Sequence, residues 1–261
     1  RKAEVDMLLC LLTTLSMFLV VGQTESERRR TSFVRWTGVW ALLSLAWLSK
    51  FHYGPAMVLV PTVIYLVVQK HFRRLLWLAN PAGLALFAAA VVVWPYLLLQ
   101  HVPNAWDVWK EQTVGRAVGE LGQEPIWFYL PSVLWLTLPW TPFALAAIPQ
   151  SWRQAWMRGP GRERWFGIPL WKQGDARERF LWIWFLSVFG IVTASANKHS
   201  HYLMAALPVF SLLAGRTVAE LGRRLMSQDE PLGGRRAFGL AATFVVVGSA
   251  LAAVVSLAWP M

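Results

Sequence analysis

Eight apolar stretches, separated by short charged or aromatic segments, constrain this chain more than any other feature of its sequence. They lie approximately at 7–21, 36–48, 55–68, 77–100, 127–149, 180–194, 203–215 and 238–259. A helix needs roughly 17 to 25 mostly apolar residues to cross a bilayer, and flanking aromatic or basic residues extend shorter runs. The predicted fold is therefore all-α, a polytopic transmembrane helix bundle of about eight spans.

Composition supports this class and excludes two others. The chain is 56% hydrophobic and 15% charged, whereas a soluble domain is about 45–50% apolar and about 25% charged. Its single cysteine, Cys10, can close no intramolecular disulfide. A water-soluble globule and a disulfide-stabilised secreted domain are therefore excluded.

The 25 Lys and Arg residues fall unevenly among the connecting segments. One alternating set of segments holds 19 of them, including the basic loop 151–179, and cytoplasmic loops of membrane proteins carry such an excess. The other set faces the exterior and holds Arg1, Lys2, Lys50, Lys110, Arg116 and Lys198. The net charge of +11 is then a topology signal, and nucleic acid is not expected as a partner.

The chain opens with Arg1 and enters an apolar stretch at Met7, without an initiator Met or a signal-peptide pattern. We expect residues 1–261 to form a single transmembrane domain that is a later portion of a longer protein.

Two exterior segments carry isolated charges next to apolar helices. Asp6 directly precedes the first apolar stretch, so its carboxylate is either a helix cap or a functional acid. Lys50 lies in the predicted exterior turn 49–55, where the positive-inside rule makes a basic residue unusual. We therefore expect Lys50 to have a functional role.

The longest exterior segment, 101–126, contains Trp106 and Trp109 within a pattern of three- and four-residue steps. This pattern predicts a short amphipathic helix that lies in the membrane interface. Glu111 and Arg116 belong to the same segment, and each is either a solvated charge or a site residue.

The segment 195–202 concentrates hydrogen-bonding side chains between two apolar stretches. It contains Lys198, His199, His201 and Tyr202. Two histidines alone are a weak metal signal, since zinc sites use three or four ligands, so a metal role and a phosphate- or sugar-binding role both stay open. Cations at Lys50, Arg116 and Lys198 would suit a lipid phosphate or pyrophosphate. We therefore expect a site at the outer leaflet that holds a polyprenyl phosphate leaving group.

The order of these motifs resembles that of the GT-C membrane glycosyltransferases, the superfamily of the aminoarabinose transferases (ArnT-like) and the protein O-mannosyltransferases. The matching segments, in family order, are Ser49-Lys50 with Gly54-Pro55, Trp94-Pro95-Tyr96, 111–116, 125–131 with 138–140, and 198–202 with Leu207-Pro208. The insertion of Phe51-His52-Tyr53 between Lys50 and Gly54 departs from the family pattern.

The resemblance implies transfer of a sugar from a polyprenyl-phosphate carrier to lipid A, protein or a cell-surface glycan, with inversion at the anomeric carbon. Asp6 resembles the second of two catalytic acids, and the first has no counterpart in this chain. Lys50, Arg116 and Tyr202 match positions that hold the carrier phosphate. The segment 111–116 also contains Glu111, and the segment 198–202 contains Lys198, His199 and His201. We add these four residues to the predicted substrate-binding set.

The resemblance also implies a bacterial inner membrane location, with the active site facing the periplasm and membrane lipids around it. A divalent metal is often found near the site in this superfamily, but the sequence leaves the cofactor unknown. Two alternatives stay open, a polytopic transporter or lipid flippase and an inactive truncated relative. Transporters place ionisable groups near the bilayer midplane, whereas here they cluster at the predicted outer ends of the spans, which favours an enzyme.

Overall fold

A computed structural model describes residues 2–24, 29–102, 104–115, 118, 122–138, 140–145 and 176–226. These residues form helices and no β-strand, which confirms the all-α class. The helices are α1 (Lys2–Thr24), α2 (Arg29–Lys50), α3 (Tyr53–Val68), α4 (Phe72–Leu75), α5 (Pro81–His101), α6 (Ala105–Lys110), α7 (Tyr129–Leu136), α8 (Ala176–Ala194) and α9 (Leu207–Met226). Shorter helical turns are Leu76–Ala79, Glu111–Gly115, Ile126–Phe128 and Ser200–Ala206.

Three segments of the described chain are long and apolar enough to cross a membrane. They are Val5–Gly22, Pro81–His101 and Ser200–Arg223, with mean hydropathies of 2.1, 2.2 and 1.5. Helix α3 is a shorter apolar helix. The predicted stretch 238–259 and residues 151–175 of the predicted basic loop lie outside the described residues. The count of eight spans stays a prediction.

The chain divides into two compact units. The first comprises Arg1–Tyr129 and Trp182–Pro208. Within it α1 packs on α2, α2 packs on α3 and α5, and the turn Ser200–Ala206 packs on α1. Met17 and Leu43 are fully buried in this unit, where close van der Waals packing holds membrane helices together.

The second unit comprises Leu130–Leu181 and Val209–Met261. Its described part contains an ion pair between Arg216 Nη2 and Glu178 Oε2, 2.9 Å apart. Glu178 is buried, and such a carboxylate needs a partner to offset its loss of hydration.

The turn between α2 and α3 brings the two backbones into direct contact. A Cβ atom at Gly54 would lie 2.7 Å from the carbonyl oxygen of Ala46, so only glycine permits this approach. Pro55 follows in the first turn of α3, where its missing N–H leaves no bond unmade. Lys50 is the last residue of α2 and therefore lies beside the point where the two helix backbones meet.

Helix α5 is fixed to α2 at its amino-terminal end. The Asn80 side chain caps α5 by accepting from the Gly83 N–H at 2.8 Å, and its amide donates to the carbonyl of Phe33 at 3.0 Å. The indole of Trp40 donates to the carbonyl of Leu78 at 2.9 Å. These bonds fix the alignment of α5 against α2, and this alignment determines which aromatic side chains of the two helices contact each other.

Candidate active site

Asp6 and Lys50 form an ion pair between α1 and α2. The Lys50 ammonium donates to Asp6 Oδ1, and Asp6 is 5% exposed. Because α1 is helical from Lys2, Asp6 lies within the helix and not at its cap. The helix-cap alternative for Asp6 is therefore wrong, since its carboxylate pairs with a side chain of another helix.

The turn Ser200–Ala206 brings two more predicted residues to this pair. His201 Nε2 lies 3.6 Å from Asp6 Oδ2, and the Lys50 ammonium lies 4.3 Å from the centre of the Tyr202 ring. The second contact has cation–π geometry. The Cys10 thiol helps to hold the turn on α1 by donating to the carbonyl of Met204 at 3.2 Å.

These side chains surround a cavity of about 470 Å³ within the first unit. Its polar lining consists of Asp6, Ser49, Lys50, His52, Tyr53, Ser195, His199, His201 and Tyr202. Its apolar lining includes Val5, Leu9, Met57, Met204 and Ala205. Desolvation lowers the pKa of His52 below its usual value, so this ring is mostly uncharged near neutral pH. The cavity suits a ligand with a charged head and an apolar body.

His199 lines the same cavity as His201. The two rings are stacked with centroids 5.1 Å apart, and His199 meets the Tyr202 ring edge-on at 5.3 Å. The backbone N–H of His199 donates to the Tyr129 hydroxyl at 3.2 Å. Tyr129 thereby anchors the start of the histidine-containing turn.

Lys198 is not among the residues that line the cavity. It is 6% exposed, and its ammonium donates to the carbonyl of Glu124 at 3.0 Å. The Glu124 N–H in turn donates to the carbonyl of Ala196 at 3.1 Å. Lys198 thus ties two segments of the backbone together, and its role as a phosphate ligand stays a prediction.

The structure does not bring Glu111 to the cavity, and it does not describe Arg116. Glu111 is exposed in the turn Glu111–Gly115 and is absent from the cavity lining. Arg116 lies outside the described residues. Sequence reasoning assigned no role to Tyr53 and Ser195, which line the cavity, although they lie within the segments 49–55 and 195–202 that it did single out.

A metal centre does not fit the described residues. Asp6 and His201 lie close together, but the described part of the chain contains no group of three or more His, Cys, Asp or Glu that could hold a metal ion.

Comparison with known proteins confirms the resemblance predicted from the motifs. The chain is 26% identical over 212 residues to the undecaprenyl phosphate-alpha-4-amino-4-deoxy-L-arabinose arabinosyl transferase of Pseudomonas aeruginosa (strain LESB58), covering 79% of this chain and 35% of that protein. It is 28% identical over 225 residues to transferase 1 of the same name from Pseudomonas fluorescens (strain Pf0-1), covering 84% and 36%. No family profile matches the chain.

The fold is also shared with a solved structure. ArnT from Cupriavidus metallidurans bound to undecaprenyl phosphate matches 85% of this chain and 39% of its own, with a TM-score of 0.64 and 20% identity. Its apo structure gives a TM-score of 0.62. The chain spans little more than a third of the length of the two Pseudomonas transferases.

Proposed function

We propose that this chain forms part of a membrane glycosyltransferase, which moves a sugar from a polyprenyl-phosphate carrier to a lipid, protein or glycan acceptor. The observation that carries the proposal is the Asp6–Lys50 pair at a cavity with a polar and an apolar side. The names of the similar transferases support the same donor class, because each specifies undecaprenyl phosphate.

Lys50 is the residue that we assign to the carrier phosphate. As the sugar leaves, negative charge grows on the phosphate, and a fixed cation in a poorly hydrated site stabilises that charge more than water does. The side chain of Lys50 is 23% exposed, so it is partly desolvated and still accessible from the cavity. Tyr202 lies under the ammonium and confines it to one side. Arg116 is proposed as a second phosphate ligand.

Asp6 is the residue that we assign to the acceptor side of the reaction. Its buried carboxylate has one oxygen directed to Lys50 and the other to His201. A carboxylate held in this way accepts or orients the proton of an attacking hydroxyl group. His199, His201, Lys198 and Glu111 are proposed to contribute to substrate binding, with Lys198 acting from behind the cavity wall.

The finer topology belongs to the same proposal. Residues 1–261 are proposed to form one transmembrane domain of about eight spans in a bacterial inner membrane, with the cavity facing the periplasm. The segment 101–126 would then be an outer loop, and its helix α6 with the following turn would lie in the interface. Exposed Trp106 on α6 supports this placement. The loop 151–179 would be cytoplasmic.

The test is sugar transfer by membranes that contain the full-length protein. Labelled polyprenyl-phosphate sugar is supplied, and lipid and protein fractions are separated. We expect Lys50→Ala to lower kcat/KM by about 100-fold, since loss of one such electrostatic contact costs about 10²–10³ in rate. Lys70→Ala, at an exposed lysine, is the matched control and should transfer normally.

One outcome would overturn the assignment of Lys50, and another would overturn the proposed reaction. Normal transfer by the Lys50→Ala protein, inserted in the membrane at the wild-type level, would show that Lys50 does not hold the leaving group. Movement of the labelled lipid across vesicles without any transfer would favour the transporter alternative.

A further inference from the structure

Phe51 has a backbone conformation that its side chain does not favour. Its φ is 47°, in the left-handed region, which bulky side chains rarely adopt. Within the described chain, Lys70 is the other non-glycine residue with positive φ. Phe51 is the first of the three residues that stand between Lys50 and Gly54.

This conformation ends α2 with a cap in which Phe51 takes the place usual for glycine. The Phe51 N–H donates to the carbonyl of Trp47 at 2.7 Å, the single bond that defines a left-handed helix cap. The Phe51 and Trp47 rings meet edge-on with centroids 5.9 Å apart, and such a hydrophobic contact accompanies this cap. The cap sets the position of the residue before it, which is Lys50.

Two more aromatic side chains hold the Phe51 ring from other helices. Trp109 of α6 meets it edge-on at 5.5 Å, and Trp94 of α5 lies at 6.0 Å. Trp94 and Trp109 stack on each other at 5.6 Å. Aromatic pairs at these separations are attractive beyond the burial of their area. The ring is therefore in contact with Trp47, Trp94 and Trp109, which we call the tryptophan cage.

We infer that Phe51 is a positioning residue, which uses the tryptophan cage to hold the ammonium of Lys50 where the carrier phosphate binds. The inference rests on the proposed function of Lys50. A glycine at position 51 would adopt the same backbone conformation but would have no ring. The Phe51 ring connects the end of α2 to α5 and α6. With the helix end held, the Lys50 ammonium pairs with Asp6 at the cavity. An unheld helix end would let the ammonium leave the cavity, and phosphate binding would then weaken.

The test compares binding of undecaprenyl phosphate with binding of undecaprenol, which lacks the phosphate, to the full-length protein in nanodiscs. The ratio of the two dissociation constants reports the phosphate contact alone. We expect Phe51→Gly, which keeps the left-handed backbone accessible, to reduce the phosphate preference about tenfold, as expected for weakening one hydrogen bond to a charged group. Because the Phe51 ring also lines the cavity, loss of its apolar contact should lower the affinity for both lipids by the same factor, which cancels in the ratio. Phe51→Tyr should retain the wild-type preference.

Lys50→Ala separates failure of this inference from failure of the proposed function. If Lys50→Ala loses the preference and Phe51→Gly keeps it, Phe51 does not position Lys50. If both variants keep it, Lys50 does not bind the phosphate and the proposed function fails at that residue. The double variant Lys50→Ala/Phe51→Gly should show no larger loss than Lys50→Ala. Loss of undecaprenol binding together with a lowered thermal unfolding temperature in Phe51→Gly would overturn the inference, because the ring would then serve the fold alone.

Discussion

Asp6 is shared between two basic side chains from different parts of the sequence. Its Oδ1 receives the Lys50 ammonium, and its Oδ2 lies 3.6 Å from His201 Nε2. Because Asp6 is buried, removing its charge leaves Lys50 with one fewer compensating partner. The residue therefore affects both the shape of the cavity and the proposed chemistry.

We predict that Asp6→Asn lowers sugar transfer by about 100-fold or more, as removal of a general base commonly does. The amide keeps the size of the side chain and one acceptor oxygen, so the protein should still insert and fold. Kinetics of the purified full-length protein measure the effect. Asp107→Asn changes an exposed acid of α6 and should behave as wild type. Full activity of Asp6→Asn would exclude a catalytic role for this carboxylate.

The turn between α2 and α3 sets the position of Lys50. The turn combines the cap at Phe51 with the close approach of Gly54 to Ala46. The first feature holds the end of α2, and the second sets the distance between the helices. A change at Gly54 should therefore disturb packing first and the site second.

We predict that Gly54→Ala destabilises the protein by about 1–3 kcal/mol, the usual effect of forcing an extra methyl group into a packed contact. The added Cβ would lie 2.7 Å from the Ala46 carbonyl oxygen, so α3 must shift. Thermal unfolding in detergent measures the change. Gly190→Ala is the matched control, because nothing lies within 4 Å of its added Cβ and alanine favours the helix. Equal unfolding temperatures for the two variants would contradict the close contact.

The distribution of basic residues is the basis of the proposed orientation in the membrane. Alternate segments hold 19 and six of the 25 Lys and Arg residues. The proposed orientation places the Asp6 cavity and α6 on the exterior and the segment around Arg73 in the cytoplasm. A single native cysteine makes this orientation testable by labelling.

We predict that a membrane-impermeant maleimide labels Lys110→Cys on intact spheroplasts and labels Arg73→Cys only after permeabilisation. Both positions are exposed. The background is Cys10→Ser, which retains a donor for the Met204 carbonyl. Labelling of Arg73→Cys from outside, with Lys110→Cys protected, would reverse the proposed orientation and move the cavity to the cytoplasmic face.

The all-α class, the apolar helices and the segments that hold the candidate residues can be read from the amino-acid sequence without the structure. Helix formation and membrane crossing depend on runs of neighbouring residues, so a linear pattern carries them. The pairing of Asp6 with Lys50 joins residues 44 positions apart. The sequence likewise could not show that Lys198 turns to the Glu124 carbonyl or that Phe51 enters a tryptophan cage. Such contacts depend on how separate helices pack, and helix packing follows from side-chain shape across an interface, so only the tertiary structure decided them.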